Sequence, residues 1–109
     1  EEDTPTLIFD EIDTGISGIT AGKVGDRLRL IGKSRQVICI THLPQIAATA
    51  DHHFLIRKKA EGTSVRTDVE MLDEAASVEE LARLLGGANV TERVMESAKE
   101  LKELAKCER

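Results

Sequence analysis

The stretch of sequence that decides the fold is Thr6-Leu7-Ile8-Phe9-Asp10-Glu11-Ile12-Asp13, which runs into Thr14-Gly15-Ile16-Ser17-Gly18. A short apolar run leads directly into two adjacent carboxylates and then into a loop bracketed by glycines. Such a continuous apolar run is typical of a strand that is buried in a parallel sheet. Because parallel sheets bind ligands at their carboxyl edge, the sequence predicts acidic groups at a ligand-binding edge.

The two adjacent carboxylates are suited to different roles in phosphate chemistry. A magnesium ion that bridges nucleotide phosphates keeps several waters and needs only one or two protein carboxylates. Asp10, the first residue after the apolar run, is placed to be that ligand. Glu11 leaves the strand in the other direction, where a carboxylate in a dry site can polarise an attacking water. From Asp10-Glu11-Ile12-Asp13 alone, it is equally acceptable that these acids merely end a strand and cap the next helix.

A second strand places a histidine in a similar position. The run Gln36-Val37-Ile38-Cys39-Ile40-Thr41 is too short for a helix and rich in β-branched residues, and it ends in His42. If the two strands are parallel neighbours, with Ile19 to Ile31 as the crossover helix, then Asp10, Glu11 and His42 converge on one crevice. A lone histidine is more often structural, but its place at a strand end beside two acids favours a function.

The rest of the chain predicts one hairpin and several helices. Gly32 is suited to end the crossover helix in a left-handed conformation, and Ser17 or Thr20 to cap its start. The further elements are a short helix at Pro44–Ala50, a hairpin of His53–Lys58 and Ser64–Leu72 around Glu61-Gly62-Thr63, a helix opened by a Ser77–Glu80 capping box and stopped by Gly86-Gly87, and a last helix from Thr91 to about Cys107.

Periodicity predicts which side of each of these elements is apolar. In the hairpin, Phe54 and Ile56 share one side of the first strand, and Val65, Thr67, Val69 and Met71 share one side of the return strand. The buried stripes of the last two helices are predicted to be Leu81, Leu84 and Leu85, and then Val94, Ala98, Leu101 and Ala105.

Composition limits what this chain can do. Its 109 residues make at most one domain, which is small for a complete nucleotide hydrolase, and 15 basic against 20 acidic residues argue against a broad DNA-binding surface. Arg57, Lys58 and Lys59 either touch DNA or a coiled-coil neighbour or form a solvated charge run, and the lack of interleaved aromatic residues favours the charge run.

The two cysteines and the apolar runs bear on the cellular compartment. Cys39 and Cys107 have no disulfide or ligand spacing, which indicates a reducing cytoplasm. No apolar run approaches the roughly 20 residues of a membrane span.

Three blocks of the chain together resemble the RecN family of SMC-like bacterial DNA repair ATPases. The first is Ile8 to Gly18, which is similar to the Walker B strand and D-loop of ABC-type ATPases. The second is Thr41-His42-Leu43-Pro44-Gln45-Ile46-Ala47-Ala48, which contains a residue similar to their switch histidine. The third is Glu80-Leu81-Ala82-Arg83-Leu84-Leu85-Gly86-Gly87, and the blocks occur in order over nearly all of the chain.

The resemblance implies a fold and an activity. The fold would be α/β, the C-terminal lobe of an ABC/SMC-type P-loop ATPase head, with residues 1–109 forming a single partial domain. The cofactors would be ATP and Mg²⁺, with Asp10 as metal ligand, Glu11 as general base and His42 as γ-phosphate contact. Ser17 and Gly18 would belong to the loop that touches the partner head's nucleotide, although many ABC-type proteins have an aspartate where this chain has Ser17. Gln45 would either orient His42 beside the nucleotide or face solvent.

The resemblance also implies partners. The chain has no Gly-x-x-x-x-Gly-Lys-Ser/Thr loop and no Ser-Gly-Gly signature, so the N-terminal lobe of the same parent protein would supply them. A second head would pair with the first in the presence of ATP, and the complete protein would bind DNA during recombinational double-strand break repair. Two other classes stay open: a DExD-type helicase or metal-dependent nuclease fragment, and a non-catalytic interaction domain.

Overall fold

The computed structural model describes residues 6–10 and 17–107 of the chain, the last of these by its backbone. The α/β fold predicted from the sequence is confirmed. In chain order the elements are β1 (Thr6–Asp10), α1 (Gly18–Gly32), β2 (Gln36–Ile40), α2 (Pro44–Ala47), β3 (His53–Glu61), β4 (Ser64–Leu72), α3 (Glu74–Gly86) and α4 (Glu92–Cys107). Within these residues, every helix is too short or too polar to cross a membrane.

The strands β1 and β2 form a parallel pair with α1 as the connection between them, as the sequence predicted. Thr6 lies opposite Gln36 at one end of the pair, and Asp10 lies opposite Ile40 at the other. The two strands therefore end together, at one carboxyl edge.

Only one side of this parallel pair is covered by the described elements. Phe9, Val37 and Cys39 pack on that side against a core that includes the buried residues Ala21 and Leu28 of α1. On the other side Ile8 is 67% exposed, and Ile38 and Ile40 are also exposed. Within the described residues, the predicted burial of this strand therefore holds on one face only. The strands are apolar on both faces, as in sheets with two helical layers, but helix packs here on one face only.

The helices α1 and α2 approach each other closely at Gly25. A Cβ atom at this position would lie 2.9 Å from Thr49 Cγ2 and 3.3 Å from the backbone oxygen of Gln45. Since both distances are shorter than ordinary van der Waals contacts, the spacing of the two helices depends on a residue without a side chain.

The end of α1 differs from the prediction that Gly32 stops the helix in a left-handed conformation. Gly32 is the last helical residue, and the C-cap is Lys33 in a right-handed conformation. The backbone N–H groups of Lys33, Ser34 and Arg35 donate to the carbonyls of Leu30 and Ile31. These bonds satisfy the terminal carbonyls, so no left-handed residue is needed.

The predicted hairpin is confirmed, and its turn is tighter than expected. Strand β3 extends to Glu61, and the strands join through Gly62 and Thr63, with Gly62 at a φ of 63°. Phe54 pairs with Met71 and Ile56 with Val69, so these residues share one face of the hairpin. This outer face of the hairpin is exposed, and its large apolar residues are Phe54, Ile56, Val65, Val69 and Met71.

The inner face of the hairpin, which is directed toward α3, is the more polar of the two. His53 contacts Ser77 of α3 on this side. Further along the hairpin the inner face carries ion pairs between Arg57 and Glu70 at 3.8 Å and between Arg66 and Asp68 at 2.8 Å. The outer face of the hairpin is therefore apolar and exposed, while on the inner face Leu55 and Leu72 are partly buried and most side chains of the ion pairs are exposed.

Helix α3 begins one turn earlier than predicted. Its N-cap is Asp73, whose side chain accepts a hydrogen bond from the Ala76 N–H at 2.8 Å. The predicted Ser77–Glu80 capping box is therefore wrong, because an aspartate directly after β4 already caps the helix. The predicted stop is correct, since the helix ends at Gly86 and Gly87 follows with a φ of 62°.

The main core lies between α3 and α4 and consists mostly of small side chains. The predicted stripe of α4 is confirmed, with Ala98 and Ala105 buried and Val94 and Leu101 packed against the cluster. In α3, Leu81 is fully buried as predicted, whereas Leu85 is 40% exposed and does not belong to the core.

A buried polar cluster joins three elements, and the sequence did not predict it. The Lys102 Nζ atom of α4 lies 2.8 Å from Ser77 Oγ, and His53 Nδ1 of β3 lies 2.7 Å from the same oxygen. Because the ammonium can only donate, the Ser77 oxygen accepts from Lys102, and a second hydrogen bond joins Ser77 Oγ to His53 Nδ1. Lys102 is only 7% exposed. Nothing in the sequence distinguishes it from the exposed lysines of α4.

This cluster makes stability depend on pH through His53. Burial lowers the pKa of His53 below 6.5, the nearby Lys102 ammonium lowers it further, and Glu80 partly opposes the change. The unfolded chain therefore takes up this proton more readily than the folded chain. The stabilisation is complete above pH 6.5 and is lost as pH falls from 6.5 toward the folded pKa.

We expect the free energy of unfolding to fall on acidification, and His53→Gln to remove part of that fall. The loss stays below about 1.4 kcal/mol per pH unit, because that is the limit for a group that takes up one proton. Urea unfolding between pH 5 and pH 8 measures the effect. The matched control is His52→Gln at the neighbouring exposed histidine, and equal pH dependence in both variants would contradict the assignment to His53.

Candidate functional site

The carboxyl edge of the parallel pair carries Asp10 on the side that is open to solvent. Side chains alternate along a strand, so Asp10 shares this side with Ile8, and Ile40 lies opposite it on β2. The carboxylate is exposed, and it has no hydrogen bond or ion pair within the described residues. An exposed, unpaired carboxylate fits a magnesium ion that keeps most of its waters.

A short turn carries His42 away from the same edge. β2 ends at Ile40, and the Thr41 hydroxyl accepts a hydrogen bond from the Leu43 N–H at 3.0 Å. This local bond closes the turn around His42, and Leu43 is extended, as a residue before proline must be. Pro44 then begins α2. The imidazole of His42 is consequently exposed at the carboxyl edge, one strand away from Asp10.

The other predicted carboxylate, Glu11, lies outside the described residues, as do Ile12 to Ile16 of the loop. The described part resumes at Ser17, which is the N-cap of α1 and whose Oγ accepts from the Thr20 N–H at 3.3 Å. The capping expected of Ser17 is therefore confirmed. Its role in an interface loop stays a prediction, as does that of the exposed Gly18.

Gln45 lies between the His42 turn and the start of α1. It lies in the first turn of α2, and its Nε2 atom would be 3.1 Å from a Cβ atom built on Gly18. Its Oε1 atom is buried and has no hydrogen-bond partner in the part of the chain that the structure describes. Among the described residues Gln45 makes no hydrogen bond to His42, so its amide lies against the start of α1 instead.

Other predicted functional residues lie away from this edge. Arg57, Lys58 and Lys59 are exposed on the hairpin, and Arg57 pairs with Glu70. In residues 6–10 and 17–107, no three His, Cys, Asp or Glu side chains form a group that could hold a metal ion. Neither the role of Gly25 nor the buried oxygen of Gln45 could be predicted from the sequence, because both depend on how closely α1 and α2 approach.

Comparisons with known proteins place the chain among DNA repair proteins. No family model matches it. A DNA repair protein RecN from Vibrio cholerae is 50% identical over 99 residues, which is 91% of this chain and 18% of that protein. RecN from Halalkalibacterium halodurans is 48% identical over 92% of the chain, and RecN from Streptomyces coelicolor is 41% identical over 96%.

The fold is shared with a solved structure from a study of ATP-driven dimerization and DNA-stimulated activation of SMC ATPases. The TM-score is 0.54 at 24% sequence identity, over 75% of this chain and 50% of that chain. The likeness therefore concerns the arrangement of helices and strands. The chain spans 18% of the length of each of the three RecN proteins above. Its identity to them, over about nine tenths of its own residues, shows that the chain belongs to the RecN family of bacterial DNA repair proteins.

Proposed function

We propose that this chain is the C-terminal lobe of an SMC-like ATPase head that acts in the recombinational repair of DNA double-strand breaks. The observation that carries the proposal is the register of the parallel pair. Because Asp10 lies opposite Ile40, the acidic motif and His42 leave neighbouring strands at one edge. A nucleotide held at that edge would have a carboxylate and an imidazole beside its phosphates.

Each residue of the edge takes a role that suits its chemistry. Asp10 holds magnesium directly or through a water, and the bound ion neutralises charge on the phosphate oxygens. Glu11 accepts the proton of the attacking water, and His42 donates a hydrogen bond to the γ-phosphate. Ser17 and Gly18 end the loop that faces the nucleotide of a second head. ATP thereby holds two heads together, and hydrolysis releases them.

The exposed apolar surfaces support a second lobe as partner. The open side of the parallel pair presents Ile8, Ile38 and Ile40 to solvent, and the outer face of the hairpin is apolar as well. Exposed apolar residues that share one face of a sheet are typical of an interaction site. We assign it to the N-terminal lobe of the same parent protein, which would bring the phosphate-binding loop to the Asp10 edge. The described residues show no broad basic surface, so we assign DNA binding to the complete protein. We place that protein in the bacterial cytoplasm.

Reconstitution of the head from its two lobes tests this function. We expect the 109-residue chain mixed with its N-terminal lobe to hydrolyse ATP when magnesium is present, and each lobe alone to show no turnover. Asp10→Asn in the same mixture should abolish turnover, because it removes the magnesium-side charge. ATP turnover that is unchanged by Asp10→Asn would overturn the proposal. Cleavage of DNA with magnesium but without ATP would favour the nuclease, and lobe binding without turnover would favour a non-catalytic domain.

A further inference from the structure

The buried oxygen of Gln45 calls for an explanation. Nearly all buried polar atoms in native proteins have a hydrogen-bond partner, because an unpaired one costs free energy. Within residues 6–10 and 17–107 the Gln45 Oε1 atom is buried without a partner, and a methionine of similar length would avoid that cost. Stability alone therefore does not account for an amide at this position.

The amide lies against the start of α1, next to the residue that follows the N-cap Ser17. Its Nε2 atom contacts Gly18, the first residue of α1, so closely that any Cβ atom there would be at 3.1 Å. Seven residues later, the backbone oxygen of Gln45 lies against Gly25 on the same face of α1. One residue of α2 thus contacts α1 at two glycines, and the first of them directly follows the proposed interface loop.

Gln45 lies in the first turn of α2, which directly follows the turn that carries His42. The Leu43 carbonyl accepts hydrogen bonds from the N–H groups of Ile46 and Ala47, both at 3.1 Å. With the Thr41–Leu43 bond, this makes the His42 turn and the first turn of α2 one continuous hydrogen-bonded unit. Gln45 lies within this unit, and its side chain lies against the start of α1.

We propose that Gln45 is a positioning residue that fixes the His42 turn relative to the start of α1 at Gly18. Its Nε2 end rests on Gly18, and its Oε1 accepts a hydrogen bond from a donor that arrives only when the head is assembled with its second lobe and nucleotide. This inference rests on the proposed ATPase function. It explains why an acceptor is kept unpaired at the contact between α1 and α2.

Gln45→Met in the full-length protein that carries this chain tests the inference. We expect kcat for ATP hydrolysis to fall about 10- to 100-fold, because small displacements of positioned groups have effects of that size. The KM for ATP should change less than about threefold, since His42 and the nucleotide-binding lobe remain. The melting temperature should stay equal or rise, because the unpaired buried oxygen is gone. A residue with a merely structural role would lower the melting temperature and the rate together, and that result would overturn the inference.

Two further variants separate this inference from the function on which it rests. Gln36→Met makes the same chemical change at an exposed glutamine of β2, far from the carboxyl edge, and should leave kcat unchanged. Asp10→Asn tests the function itself. If Asp10→Asn keeps full turnover, the proposed ATPase site is wrong. If Asp10→Asn is inactive while Gln45→Met retains the wild-type kcat, the positioning role alone is wrong.

Discussion

Replacing Glu11 with glutamine is expected to stop ATP turnover by the complete head while ATP-dependent pairing of two heads persists. Glutamine keeps the size and the hydrogen-bonding oxygen of the side chain but cannot accept a proton from water. General base catalysis typically contributes about 10²- to 10⁴-fold, so turnover should fall by that factor. Turnover is measured as phosphate release, and pairing is measured by analytical ultracentrifugation with and without ATP.

A matched variant controls for the change in charge. Glu100→Gln makes the same substitution at an exposed position of α4, where this residue forms no ion pair with any described residue. It should leave both turnover and pairing unchanged. Normal turnover in the Glu11→Gln protein would remove Glu11 from the mechanism, and loss of pairing would mean that the carboxylate is needed to bind nucleotide.

Substituting Gly25 with valine is expected to destabilise the 109-residue chain by about 1–3 kcal/mol, the usual cost of forcing extra methyl groups into a packed contact. The first added carbon would already lie 2.9 Å from Thr49 Cγ2 and 3.3 Å from a backbone oxygen. A backbone atom cannot move aside as a flexible side chain does, so α1 and α2 must separate. Urea unfolding followed by circular dichroism measures the change.

Gly22 provides the control on the same helix. A Cβ atom at Gly22 would meet nothing within 4 Å, so Gly22→Ala adds helix propensity without a clash. It should stabilise the chain by up to about 1 kcal/mol. If Gly25→Val is as stable as the wild type, the close approach of the two helices is not a determinant of this fold.

The parallel pair and the hairpin were predictable because they depend on local patterns. The runs that begin at Thr6 and Gln36 are apolar, β-branched and short, and these properties favour strands in almost any surroundings. The start of α3 was missed because two overlapping capping signals, Asp73 and Ser77, lie one turn apart. Only the path of the chain after β4 decides between them.

The outer face of the hairpin was predicted as a pattern but not as an exposed surface. Alternation shows that Phe54 and Ile56 share a side, yet it does not tell whether that side meets the protein's own core or another partner. The same limit applies to the site. The order of strand and acid predicts where Asp10 emerges, whereas the burial of the Gln45 oxygen depends on the distance between two helices.

The exposed outer face of the hairpin has a practical consequence for anyone who purifies this chain. Dyes such as ANS become fluorescent on exposed apolar surface, and their signal is commonly taken to indicate a partly folded state. A chain that presents Phe54, Ile56 and Met71 to water offers such a dye a binding surface while it is fully folded. Its fluorescence therefore reports how much of this surface is uncovered, and circular dichroism is the appropriate measure of whether the chain is folded.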